Sequence, residues 1–276
     1  MSPLHNKTIF ITGASRGIGR EMALRFAREG ANLVIAAKSA EPHPKLPGTI
    51  FSVAEEVEAA GGKALAIQLD VREDQQVKEA MQQAADRFGG IDAIINNAGA
   101  IKLVNSENLP LKRFDLMMQI NTRAVLSCAQ AALPWLKKSE AGHILSLSPP
   151  INMDPKWFQH YGPYTVTKYG MSMLTVGMAA EYKRYGIAVN SLWPKTLIST
   201  AAIEFEGGGK SALEKGRKPE IMADAAYEIL STQDGSLSGQ ILIDEDLLRE
   251  RGVSDFEHYR FDSESNKPLM PDLFVD

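Results

Sequence analysis

At 276 residues, 44% hydrophobic and 23% charged, the chain is long enough to bury a large α/β core. Its 30 Lys and Arg stand against 34 Asp and Glu, and a net charge of −4 argues against a nucleic-acid or anionic-membrane binder, whose phosphate affinity rests on clustered cations. The one cysteine, Cys128, cannot close an internal disulfide, no apolar run reaches about 18 residues, and the N-terminus enters a strand without a secretory segment, so a soluble, cytoplasmic protein is expected.

Short apolar runs recur along the chain. Strands are predicted at Thr8–Thr12, Asn32–Ala37, Ala64–Asp70, Ala93–Asn97, His143–Ser148, Ala188–Trp193 and Gln240–Asp244. Helix-period segments lie between most of them, at Gly17–Glu29, Val53–Ala60, Asp74–Phe88, Arg113–Leu136, Tyr164–Tyr185 and Glu220–Ser231. Strands written as continuous Val/Ile/Leu runs are covered on both faces, so the alternation predicts one doubly wound, parallel-sheet α/β domain over 1–245. Three stretches break the rhythm. Ser39–Ser52 carries three prolines and is expected as an irregular loop, and Ser199–Pro219, with Gly207, Gly208 and Gly209, as a mobile insertion. The tail, 246–276, is charged but keeps Phe256, Tyr259, Phe261, Leu269 and Phe274, which predicts docking on the domain or on a neighbouring subunit.

The first strand runs into Thr12-Gly13-Ala14-Ser15-Arg16-Gly17-Ile18-Gly19, which opens a helix. Glycines in this strand–turn–helix setting allow a tight turn, close backbone approach to a pyrophosphate and close helix–strand packing, while the helix N-terminus offers free N–H groups to the phosphates. Sites for NAD usually place a carboxylate at the end of the second strand, to bond the ribose 2′-hydroxyl. That strand ends Ala36-Ala37-Lys38, so Arg16 and Lys38 are the candidate partners of a 2′-phosphate and NADP is the favoured cofactor.

Tyr164 and Lys168 stand four residues apart at the start of a helix whose first position suits Pro163, so they share a face. A phenol titrates near 10 in water, and a neighbouring ammonium is expected to lower that value enough for acid–base work. Tyr161, seven residues before Lys168, is the competing phenol.

Taken in order and spacing, TGASRGIG at 12–19, Asp70-Val71, NNAG at 96–99, Asn121 and the Tyr164–Lys168 pair resemble the short-chain dehydrogenase/reductase family. AAKSAEPHPKLPGTI (36–50), FGGIDAIINNA (88–98), KYGMSM (168–173) and WPKT (193–196) extend the resemblance over essentially the whole chain, toward a branch whose vertebrate members add a sterol-carrier domain and a peroxisomal signal. This chain stops before such a domain and ends Phe-Val-Asp, so neither is expected. The resemblance implies a Rossmann fold and a set of roles. Tyr164 would pass a proton to or from the substrate oxygen; Lys168 would bind the nicotinamide ribose; Asn121 would hold a water in a relay to Lys168. Gly13, Ser15, Arg16, Gly17, Ile18 and Gly19 would cradle the phosphates. Asp70 and Val71 would contact the adenine, Asn97 and Gly99 would border the adenosine ribose, and Pro194, Thr196 and Leu197 would lie at the carboxamide.

Two positions depart from the family pattern. Its usual second serine after the fifth strand aligns with Pro149, which has no donor, so Ser148 or Asn152 is expected to bond the substrate carbonyl. The usual Pro-Gly after the sixth strand is Pro194-Lys195. Tyr161 has the spacing of enoyl reductases of the same fold, and Tyr164 that of the carbonyl-reducing branch. Scattered histidines predict no metal site. Trp157, Phe158, Trp193 and Phe205 fall where an apolar pocket would open, and they either line it or pack. The expected protein is an NADP-dependent dehydrogenase or reductase acting on a small apolar carbonyl or alcohol substrate, with no nucleic-acid partner and a homodimeric or homotetrameric state. The rival expectations are an NADP-binding protein with little or no catalysis and a scaffold binding no nucleotide.

Overall fold

Successive strand residues face opposite sides of a sheet, and here both sides are apolar: Ile9 and Ile11 bury on one face and Phe10 on the other, as do Leu33 and Ile35 against Val34. That pattern requires helices on both faces. The computed structural model describes residues 2–44, 46–206 and 209–275, with the side chains of Phe205 and Glu206 outside that description. Its strands are β1 (Thr8–Thr12), β2 (Asn32–Ala37), β3 (Lys63–Gln68), β4 (Ala93–Asn96), β5 (His143–Ser146), β6 (Ala188–Trp193) and β7 (Ile241–Ile243). They form one parallel sheet in the order β3-β2-β1-β4-β5-β6-β7.

One face is covered by α1 (Gly17–Ala27), α2 (Ile50–Ala59), α10 (Glu220–Ser231) and α11 (Asp244–Glu250), through side chains such as Met22, Phe26, Val57, Ile229 and Leu247. The other is covered by α3 (Asp74–Phe88), α5 (Ala124–Leu136) and α7 (Gly162–Tyr182), through Met81, Cys128, Met171 and Met178. Full burial of one such side chain contributes about 2 kcal/mol. The chain crosses to the other half of the sheet between β1 and β4. Both strands present their carboxyl ends at this switch point, where a crevice opens.

Several boundaries differ from the sequence expectation, each for a local reason. Helix α2 starts at Ile50 rather than Val53 because Thr49 and Ser52 cap it reciprocally: the Ser52 N–H donates to Thr49 Oγ1 (3.1 Å) and the Thr49 N–H to Ser52 Oγ (2.9 Å). The expected helix Arg113–Leu136 is broken into α4 (Leu111–Met117), a π-helical turn (Met118–Arg123) and α5. The expected last strand gives up Asp244, whose Oδ1 accepts from the Glu245 N–H (2.6 Å) and so opens α11. Ser199–Pro219 is not wholly irregular, since it holds α8 (Ala201–Glu206) and α9 (Lys210–Leu213); Gly207 and Gly208 lie outside the described residues. A further short helix, α6 (Lys156–Gln159), precedes α7. No helix among the described residues is long and apolar enough to cross a membrane.

Candidate active site

The glycine turn joins β1 to α1. Gly13 and Gly17 adopt φ of 68° and 56°, a region L side chains avoid. A Cβ on Gly19 would stand 2.5 Å from Asn97 Nδ2 and 2.8 Å from the Gly13 carbonyl oxygen, so only glycine lets α1 start this close to β4. Asn97 clamps the turn, its Nδ2 donating to the carbonyls of Thr12 (2.8 Å) and Gly13 (3.0 Å). Thr12 Oγ1 donates to the Ile95 carbonyl and accepts the N–H groups of Asn97 and Ala98. The first turn of α1 carries no acidic residue to compete with an anion.

From this turn a cleft of about 730 Å³ runs along the carboxyl edge of the sheet to Tyr164 and Lys168. Gly13, Ser15, Arg16, Gly17 and Ile18 line its first part, and Lys38, Asp70 and Val71 its outer end. Asn97, Gly99 and Asn121 follow toward the Tyr–Lys pair. The glycine turn and the N–H groups that open α1 fit the pyrophosphate of a dinucleotide. Arg16 is anchored to the proline-rich loop, donating to the carbonyls of Pro47 (2.8 Å) and Gly48 (3.1 Å). Lys38 is 63% exposed and pairs with Asp70 at 3.2 Å. Hydrogen bonds from Arg72 hold the Asp70 carboxyl well below the usual carboxylate range, with Lys38 adding to the effect.

Gly19, Ser148, Pro194, Thr196 and Leu197 are not among the described residues that line the cleft; Ile101, Thr200, Ala201 and Ala202 stand on its wall instead. Ser148 is fully buried, and its hydroxyl has no hydrogen-bond partner among the described residues. Asn152 works in a loop, where its N–H and C=O both pair with the Tyr169 hydroxyl. Lys195 turns outward, its Nζ 2.7 Å from Asp246 and 3.5 Å from Glu245, so it does not crowd the cleft. Asn121 lies in the π-helical turn, a conformation that departs from the i→i−4 ladder. Its Oδ1 accepts the Ala100 N–H (2.8 Å) while Nδ2 donates to the Ala100 carbonyl and to Thr167 Oγ1 (both 2.9 Å). The side chain thus pins the β4–α4 loop to α7 and makes no bond to Lys168.

Tyr164 and Lys168 are both buried, on the same face of α7. Lys168 Nζ donates to the Leu147 carbonyl at 2.5 Å and lies 4.9 Å from the Trp193 ring centroid. The lowered phenol expected for this pair is not what the structure holds. Burial, with Asp272 adding negative charge, pushes the Tyr164 phenol above its ordinary value. Burial likewise pushes the Lys168 ammonium down to about 7 and the Asp272 carboxyl up to about 7.

The burial comes from Trp193 and from the tail, whose apolar residues the sequence marks without fixing their seat. After Pro268 the tail turns back over the cleft end. The Leu197 N–H donates to the Met270 carbonyl (2.9 Å), the Asp272 N–H to the Lys195 carbonyl (3.1 Å) and Trp193 Nε1 to the Leu273 carbonyl (2.8 Å). Phe274, 1% exposed, enters an apolar cluster with Tyr164, Tyr169 and Trp193, which Trp157 and Phe158 join. The apolar letters of the tail are visible in the sequence, but their seat depends on elements distant along the chain. The expected pocket residue Phe205 lies outside the described side chains.

A family model described as short chain dehydrogenase matches residues 7–206. Hydroxysteroid dehydrogenase-like protein 2 from Xenopus laevis is 53% identical over 270 residues, covering 98% of this chain and 63% of that protein. The chain therefore spans less than two thirds of that relative's length. A crystal structure from Xanthomonas campestris with a dehydrogenase assignment superposes with a TM-score of 0.95 at 49% identity, covering 100% of both chains. A 7α-hydroxysteroid dehydrogenase complexed with NADH and 7-oxo glycochenodeoxycholic acid superposes with a TM-score of 0.76 at 26% identity, covering 87% of this chain and 93% of the other.

Proposed function

The chain belongs to the short-chain dehydrogenase family, and from that premise we propose that it is an NADP(H)-dependent oxidoreductase interconverting a ketone or aldehyde and an alcohol on an apolar, lipid-like substrate. The observation that carries this reading is the continuous cleft, which starts at the glycine turn and ends at Tyr164 and Lys168. The 7α-hydroxysteroid dehydrogenase, complexed with NADH and 7-oxo glycochenodeoxycholic acid, supports the carbonyl chemistry and the apolar substrate class.

In this reading the N–H groups at the start of α1 bind the pyrophosphate, and Arg16 and Lys38 bind the 2′-phosphate. Val71, on the wall of the cleft, would border the adenine, and Asp70 pairs with Lys38. When bound, the dinucleotide supplies or accepts the hydride. Tyr164 gives its hydroxyl proton to the ketone oxygen, or takes one from the alcohol. A phenol held above its ordinary value stays protonated at neutral pH, as a donor must. Lys168, brought down to about 7, can exchange a proton near neutrality and so restore Tyr164. Asn121 fixes the loop and helix that frame the pair; Ser148, whose hydroxyl has no partner among the described residues, is the proposed hydrogen-bond donor to the carbonyl, a role that requires this buried group to open onto the cleft.

The lone cysteine is buried, which suits a reducing compartment such as the cytoplasm. Leu126 on α5 and Val166, Met173 and Val176 on α7 are exposed, which supports pairing of these helices in a homodimer or homotetramer.

The test is NADPH oxidation against medium- and long-chain ketones and aldehydes. We expect turnover that falls by about a hundredfold or more in Tyr164→Phe, with NADPH binding retained, and Arg16→Ala should weaken NADPH more than NADH. Tight NADPH binding without turnover would instead favour a cofactor-binding protein with little catalysis, a reading supported by the seating of Phe274 against Tyr164. Absence of nucleotide binding would sink both.

A further inference from the structure

The cleft ends at Tyr164 and Trp193, and the space beyond that end is filled by the chain's own Phe274. Five aromatic rings converge on this one side chain. Tyr169 and Trp157 lie 5.3 and 5.7 Å away between centroids, Trp193 5.9 Å and Tyr161 6.3 Å. The Tyr164 ring is stacked at 6.4 Å with an interplanar angle of 27°. Most of these contacts are tilted or edge-on, the arrangements an aromatic quadrupole favours, so the site is built to hold a flat ring. Phe274 occupies it at a conformational cost. Its φ is +71°, a left-handed backbone that a bulky residue rarely adopts. The tail is clipped to the body by backbone hydrogen bonds at Leu197, Lys195 and Lys215 and by the Trp193 indole, and it buries one aromatic side chain at its end.

We propose that the aromatic cage around Phe274 is the binding subsite for a flat, ring-bearing apolar ketone or alcohol, and that Phe274 is an intramolecular occupant which this ligand displaces. The inference rests on Tyr164 being the group that meets the reacting oxygen. A ring stacked on Tyr164 stands where the apolar body of a substrate must lie if its carbonyl is to reach that phenol. Trp193 links the two functions: its ring faces Lys168 at the cleft end, its Nε1 holds the tail through Leu273, and it forms one wall of the cage. Ligand and Phe274 are mutually exclusive, so the apparent affinity is reduced by the fraction of molecules with the tail withdrawn. Leaving the cage also releases the strained backbone of Phe274.

The experiment measures binding as well as turnover. Acetonaphthone is titrated into the parent and into Phe274→Ala, following the change in tryptophan fluorescence, with Trp157 and Trp193 in the cage and Trp135 outside it, and we expect the variant to bind at least about tenfold more tightly. A peptide of residues 268–276 should compete with acetonaphthone on the variant, and the same peptide with alanine at 274 should not. In a chain carrying para-fluorophenylalanine at 274, with the fold checked by circular dichroism, saturating acetonaphthone should move the fluorine resonance to its solvent-exposed position. An unchanged or weaker affinity in the variant, an unmoved resonance at saturation, or no binding to either protein overturns the inference. Displacement without turnover would leave the subsite standing and remove the proposed activity. Turnover with an unmoved fluorine signal would do the reverse.

Discussion

Gly19 shows how a single atom sets a binding site. It does not touch the cleft, yet a methyl group there would meet Asn97 Nδ2 at 2.5 Å and the Gly13 carbonyl at 2.8 Å, the two groups that hold the turn closed. Gly19→Ala should therefore cost about 1–3 kcal/mol of stability through overpacking and, by moving the turn that would seat the phosphates, weaken NADPH by about tenfold or more, a loss of about 1.4 kcal/mol. Thermal unfolding and fluorescence titration would read the two effects, and an unchanged dissociation constant would mean that the turn does not seat the phosphates. The glycines were legible in the sequence because their chemistry is local: three positions, one strand end, one helix start. The charge state of Tyr164 and Lys168 was not. Their spacing along α7 is a local property, whereas burial by Trp193 and Phe274 decides which way each group shifts.

Strand β5 illustrates the element scale. His143 begins it, paired across the sheet with Ala93 and Ala188, and burial lowers its pKa to about 4. A histidine depressed in the folded state stabilises the fold above its unfolded value near 6.5, and that contribution is lost as pH falls through about 4. Full protonation of the unfolded chain is then worth about 3 kcal/mol, at 1.36 kcal/mol per pKa unit. Urea unfolding at several pH values should show parental stability falling over that window, and His143→Gln should flatten the fall. An equally steep decline in the variant would assign the acid sensitivity to other groups. Most strands were readable because two buried faces leave a continuous apolar run. The π-helical turn was not, since Arg113–Leu136 keeps helical periodicity throughout; the break holds Asn121, which bonds Ala100 in the β4–α4 loop and Thr167 on α7.

At the scale of the whole molecule, the last third of the chain is fastened by a buried ion pair. Arg217 and Glu245 are 6% and 7% exposed and hydrogen-bonded, and Glu245 also accepts from Arg249 (2.9 Å). Around this pair the chain crosses itself: Arg217 bridges to Ile198 and to Arg260, and Lys195 holds both Asp246 and the tail at Asp272. Removing one partner of a buried pair strands the other charge, so Glu245→Gln should lower the unfolding free energy by about 3 kcal/mol or more in urea denaturation. A loss below about 1 kcal/mol would show the pair to be well solvated and the fastening to lie elsewhere.

The order of strands and helices, the phosphate turn and the Tyr164–Lys168 pair were all determined by the sequence, because each depends on residues close together in the chain or on a periodicity that survives in one dimension. Tertiary structure alone decided that Leu197 would bind the tail, that Ser148 would be buried without a partner among the described residues, and that Phe274 would enter the cage beside Tyr164. The two tail contacts join residues separated by tens of positions or more, and the burial of Ser148 likewise depends on elements distant along the chain. Such contacts are selected by the free energy of burial over the whole fold, which no local pattern encodes.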